Sequence, residues 1–104
     1  MIKEKRHYLL VECTEDISAM RDFDRELQAE LLKCIGEMNY HEVNPKFERN
    51  EGSSRFIISG TVVGMGRLIV ALSMIKRIGG AGMAMFTLKR SGTVTGLMDG
   101  APEG

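Results

Sequence analysis

The sequence predicts an α+β sandwich, one four-stranded antiparallel sheet with two helices on one of its faces. Two observations carry that prediction. Apolar residues fall into strand-like runs and helix-like stripes in the order strand, helix, strand, strand, helix, strand. The whole pattern fits into 104 residues, the length of one domain, and its 43% apolar and 27% charged content suits a chain that buries a core beneath a solvated surface.

The first strand is read over residues 7–14, HYLLVECT. Tyr8, Leu9, Leu10 and Val11 are consecutive, so both faces of this strand are apolar. In the EDIS segment that follows, Asp16 or Ser18 is expected to cap the first helix. Met20, Phe23, Leu27, Leu31, Cys34, Ile35 and Met38 then recur at steps of three or four as one buried stripe, and Gly36 marks its C-terminal end. Residues 37–45, EMNYHEVNP, read as a loop closed by the turn chemistry of Asn44-Pro45. KFER and SSRFIISG form a hairpin across NEGS, with Gly52 free to take a positive φ. The second helix is GMGRLIVALSMIKRI, residues 64–78, broken by Gly79-Gly80. Lys76 and Arg77 close it, where cations suit the dipole of any helix. GMAMFTLK is the last strand. Residues 98–104 are expected to be a disordered tail.

Two split βαβ units within residues 1–97 point to a single ferredoxin-like βαββαβ domain. With strands in the order four-one-three-two, the start of strand one lies beside the start of strand two and the ends of strands three and four. That end of the sheet gathers Lys3, Lys5, Arg6, His7, Lys46, Arg67, Lys89 and Arg90. The opposite end gathers Glu15, Asp16 and Glu51. The zero net charge therefore hides an asymmetry. Residues 1–42 carry six Lys and Arg against ten Asp and Glu, whereas residues 43–98 carry eight against two. A basic region of this kind points to a polyanionic partner. The face without helices is expected to expose an apolar patch that calls for a protein partner or self-association.

Other chemistry is poorly represented. Cys13 and Cys34 form no CxxC pair and no Cys/His cluster, which argues against zinc, and both are expected as buried reduced thiols. GMGRLI has Ile69 where a dinucleotide fingerprint needs its third glycine. Gly64 and Gly66 remain open to two readings, tight helix–strand packing or a small anion-binding nest beside Arg67. His7 and His41 fit no triad. Tyr8 and Phe56 alone are too few aromatics for base stacking on the sheet, so any RNA contact is expected at phosphates. No apolar run reaches a membrane span and no signal peptide is legible, so a cytoplasmic setting without membrane contact is expected.

In their order and spacing, RHYLLVE, LLKCIGEMNYHEVNPKFE, RFIISGT, ALSMIKRIGGAGMAMFTL and SGTV resemble the small ferredoxin-like subunit of archaeal ribonuclease P, protein component two of the ribonuclease P and mitochondrial-RNA-processing family. The likeness spans roughly residues 6–97. It implies an accessory subunit of an endoribonuclease that removes the 5′ leader from precursor tRNA. The ribonuclease P RNA performs the chemistry with magnesium, and this chain binds no cofactor and supplies no catalytic residue. The implied partners are that RNA, the larger TIM-barrel-like protein subunit, precursor tRNA as the holoenzyme's substrate, and a second copy in a homodimer within a heterotetramer. The residues expected to touch RNA are Lys5, Arg6, Lys46, Arg67, Lys89, Arg90, Ser91 and Thr93. Two departures stand out. The chain continues past SGT as the acidic VTGLMDGAPEG, where relatives carry basic residues. It also has no evident length for the C-terminal helix that some relatives lay on the sheet. The alternative from a different class is a dimeric ferredoxin-like regulatory module, which holds a small anion in its glycine-rich loops and binds no RNA.

Overall fold

The computed structural model describes residues 5–98. Its elements in chain order are β1 (Arg6–Cys13), α1 (Phe23–Ile35), α2 (Glu37–Val43), β2 (Lys46–Asn50), β3 (Arg55–Thr61), α3 (Met65–Met74), β4 (Arg77–Ile78), β5 (Ala81–Gly82), β6 (Met85–Ser91) and α4 (Val94–Met98). Four strands form one sheet in the order β2-β3-β1-β6, and every pair is antiparallel. The fold is thus mixed α+β, with a four-stranded antiparallel sheet and helices.

The sheet's alternation builds the core. Leu9, Val11 and Cys13 of β1 sit opposite Ile58, Phe56 and Met85, and all are buried. Phe23, Leu27, Leu31 and Ile35 from α1, and Met65, Leu68, Ala71 and Leu72 from α3, close over the same face. Phe23 meets Phe56 and Phe47 edge-on, with centroids 5.4 and 5.9 Å apart, an arrangement aromatic quadrupoles favour. Both outer strands meet the sheet through an irregularity of register, at Leu10/Val11 for β6 and at Phe47/Arg49 for β2.

Several expectations need correction. Neither Asp16 nor Ser18 caps α1. Asp16 Oδ1 accepts hydrogen bonds from the Ser18 amide (2.9 Å) and hydroxyl (2.6 Å), closing a local turn. Ile17 is buried and its amide donates to Ser53 O (2.7 Å), so the chain is pinned to the β2–β3 turn, and α1 begins only at Phe23, after the left-handed Asp22 (φ 54°). Residues 37–43 form a helix, not a loop. The bend at Gly36 (φ 89°) ends α1, and the Tyr40 amide donates back to Gly36 O, starting a second short helix. That bend carries Met38 off the stripe and leaves it 87% exposed, and Cys34 is exposed beside the buried Ile35. The Gln28 amide group then joins α1 to α2 and the chain ahead of β2, donating to Tyr40 Oη (2.5 Å) and Pro45 O (3.2 Å).

The second long helix is shorter than its apolar run. It stops at Met74. Arg77 and Ile78 pair with Gly82 and Ala81 in a small hairpin whose two turn residues, Gly79 and Gly80, have φ of 57° and 85°. Lys76 and Arg77 therefore do not cap a helix, and Arg77 Nη2 donates to Gly80 O instead (2.8 Å). The chain also has room for a C-terminal helix. α4 packs against β1 and β6, and Met98, expected in the tail, closes it. Its Leu97 is buried, and Leu97 and Ile57 are the two buried apolar side chains that stand apart from the main core among the described residues. The uncovered face is correspondingly less apolar than expected. Ile57 is fully buried, while Phe86 and Leu88 stay 55% and 46% exposed. Residues 99–104, which make up the rest of the expected tail, lie outside the described residues, as does Lys3.

Candidate nucleic-acid interface at one end of the sheet

Register fixes which side chains can act together. Arg6 lies opposite Thr61, Lys46 opposite Ser59, and Tyr8 opposite both Ser59 and Ser91. The starts of β1 and β2 and the ends of β3 and β6 therefore share one end of the sheet. Lys46, Ser59, Tyr8 and Ser91 form one row across all four strands, and Arg49, Ile57, Leu10 and Lys89 form the next. Lys5 precedes β1 with its side chain exposed, and its carbonyl accepts the Val62 amide (3.1 Å). Lys46 is exposed at the head of β2.

The remaining cations are less alike than the sequence implies. Arg6 is half-buried and engaged inside the protein. Its Nη2 donates to Asn44 O (2.7 Å) and Ser59 Oγ (2.9 Å), and Ser59 Oγ donates onward to Glu48 Oε2 (2.7 Å). This chain of bonds clamps Asn44, whose φ of 46° turns the backbone from α2 toward β2. Lys89 and Arg90 are neighbours in sequence but sit opposite Leu10 and Leu9, on different faces of the sheet. Arg90 Nε donates to His7 Nδ1 (2.9 Å), a bond that only an unprotonated Nδ1 can accept. Sequence reading placed His7 at this end without seeing that it holds Arg90. Sequence alone carried no signal for this bond, because it depends on the β1–β6 register, which shifts at Leu10/Val11. Arg67 is exposed on the first turns of α3, where it lines a groove shared with α1.

Ser91 and Thr93 build the exit from β6. Ser91 Oγ accepts the Thr93 amide (3.2 Å) and Thr93 Oγ1 accepts the Gly96 amide (2.9 Å), so both hydroxyls start α4 while each keeps an O–H to donate. Gly64 resolves toward packing. Its amide donates to Thr61 O (3.0 Å) and Thr61 Oγ1 (3.1 Å), and a Cβ there would come within 2.7 Å of Val43 Cα. That amide is already engaged, which removes it from an anion nest. Gly66 has open space around it.

The opposite end carries Glu12, Glu15, Asp16 and Glu51, whereas the Glu48 carboxylate lies beside Ser59 at the basic end. Glu12, Thr14, Glu15, Asp16, Ser53 and Phe86 line a cleft there. Hydrogen bonds from the Ser18 hydroxyl and amide hold the Asp16 carboxyl below its ordinary pKa. Glu12 faces Arg55 at 3.6 Å, and Glu51 accepts from Arg49 Nε (2.6 Å). Among the described residues, no histidine is hydrogen-bonded to a serine, threonine or cysteine, and no three His, Cys, Asp or Glu side chains gather to hold a metal ion. No described helix is long and apolar enough to cross a membrane. The chain matches no protein-family model and no curated protein.

Proposed function

We propose that this chain is a ferredoxin-like accessory subunit of a ribonuclease P-type ribonucleoprotein that binds RNA phosphates through the basic end of its sheet. The observation that carries this reading is the convergence of Lys5, Lys46, Lys89 and Arg90 with the Ser91–Thr93 turn at one end, away from Glu15 and Asp16. Lysines and an arginine with hydroxyl donors are the usual equipment for phosphate contact. The sheet order β2-β3-β1-β6 supports this reading, since a βαββαβ sandwich has the same order once α2, the β4–β5 hairpin and α4 are taken as additions. On this reading the RNA holds the magnesium and cleaves precursor tRNA, the larger TIM-barrel-like subunit is the protein partner, and the setting is the cytoplasm. The chain belongs to an enzyme only as a subunit.

The test is binding of the purified chain to ribonuclease P RNA by fluorescence anisotropy in rising salt. Log affinity falls linearly with log salt, and Lys46→Ala and Lys89→Ala each weaken binding and reduce that slope by about 1. Binding indifferent to salt, or unchanged in the double variant, defeats the proposal. Arg90→Ala has a smaller effect than Lys89→Ala, because Arg90 is held by His7 on the other face.

A further inference from the structure

The surface between the two long helices combines an apolar lining with charge of one sign. A groove of about 280 Å³ runs between α1 and α3, lined by Cys34 and Ile35 on one side and by Gly66, Arg67, Val70 and Met74 on the other. Val70 is 56% and Met74 59% exposed, and the space above Gly66 is empty, since a Cβ there would meet nothing within 4 Å. A solvent-facing helix surface ordinarily carries charged and polar residues, yet the sequence holds no Asp or Glu between Glu51 and Asp99. The charges on the α3 side are therefore all cations. Arg67 is exposed near the start of the helix, and Lys76 and Arg77 are exposed just past Met74 at its end. Across the groove, Glu30 of α1 stands one turn before Cys34 and is paired with Lys33 at 3.3 Å, so this pair adds no net charge. Glu26 lies against Gly79, outside the groove lining.

An apolar strip with cations at both ends is complementary to a helix that carries an apolar row with acids at both ends. We propose that this groove docks an amphipathic α-helix of another protein. Apolar residues of that helix, at steps of three and four, cover Val70 and Met74 and fill the hollow at Gly66. Its Asp or Glu side chains meet Arg67 at one end and Lys76 and Arg77 at the other. The 10 residues of α3 span about 15 Å, so the partner's two acidic positions stand roughly two to three turns apart. Charge turns away a second copy of this chain at this surface, because it would bring the same cations against Arg67, Lys76 and Arg77. Shape separates a helix from a membrane. A bilayer presses on a convex apolar face, whereas the apolar atoms here line a hollow that one row of side chains fills.

This docking rests on α3 and its groove alone, so it stands or falls separately from the RNA reading. The probe is a fluorescein-labelled amphipathic peptide, with leucines at steps of three and four between flanking glutamates, titrated with the full chain and followed by anisotropy. Saturable binding is expected. Val70→Glu weakens it roughly tenfold or more without changing the circular dichroism spectrum, whereas Phe86→Glu, at a residue 55% exposed on the face without the long helices, does not. A matched peptide with flanking lysines binds the wild-type chain about tenfold more weakly or worse, and it gains affinity in Arg67→Glu. Absence of saturable binding by the glutamate peptide, equal binding of the lysine peptide, a Val70→Glu variant that binds like the wild type, or displacement of the peptide by phosphatidylserine vesicles overturns the proposal.

Discussion

A single guanidinium ties two strands to the change of direction ahead of β2. Arg6 links β1 to Asn44 and, through Ser59, to Glu48. Arg6→Ala leaves the Asn44 carbonyl without this donor and is expected to cost about 1–3 kcal/mol in urea unfolding. An unchanged unfolding midpoint would return Arg6 to the set of residues available for phosphate. The two cysteines separate by the same kind of local reasoning. Burial, with Glu12 adding to it, pushes the Cys13 thiol up to about 11 from an ordinary 9.0, whereas Cys34 is exposed. One thiol per chain should therefore react rapidly with a disulfide reagent at pH 8. The raised value also sets a sign. Cys13's protonation supports the fold fully below pH 9.0, and that support is lost as pH rises toward 11. Alkaline titration of stability should show a decline of roughly 2–3 kcal/mol over that range, and it should flatten in Cys13→Ala. Spacing alone placed Cys34 on the buried stripe, because a helical period cannot show which residue of an adjacent pair turns inward at a helix end.

Among the elements, α3 separates two glycines that look equivalent in sequence. Gly64 lies against the Val43 backbone and Gly66 faces open space. Gly64→Ala is expected to destabilise by about 1–3 kcal/mol, since backbone must move to admit the methyl group. Gly66→Ala should raise stability by about 0.5–1 kcal/mol, through lower chain entropy. Thermal melts of the two variants check both. The four main strands, both long helices and the Gly52 turn (φ 82°) were legible because each has a strong period or a conformational demand. The short elements were not. α2 buries only Val43, so its seven residues show no stripe. The β4–β5 hairpin is hidden within an apolar run that reads as helix until the backbone reverses at Gly79-Gly80. Lys89 and Arg90 read as one basic pair, yet a strand's two-residue period sends them to opposite faces.

For the molecule as a whole, strand order was what turned a linear charge asymmetry into a basic end and an acidic end, and that much of the candidate site could be derived from sequence. The internal engagements of Arg6 and Arg90 could not, because they depend on residues 38 to 83 positions away. The irregular registers where β6 and β2 join the sheet have a consequence of their own. A flat outer strand is a template on which another chain can add. A bulge breaks its even ladder of amides and carbonyls, and Lys46, Glu48 and Arg49 surround the one in β2 with charge. Copies of this chain are thereby discouraged from joining edge to edge into open-ended stacks.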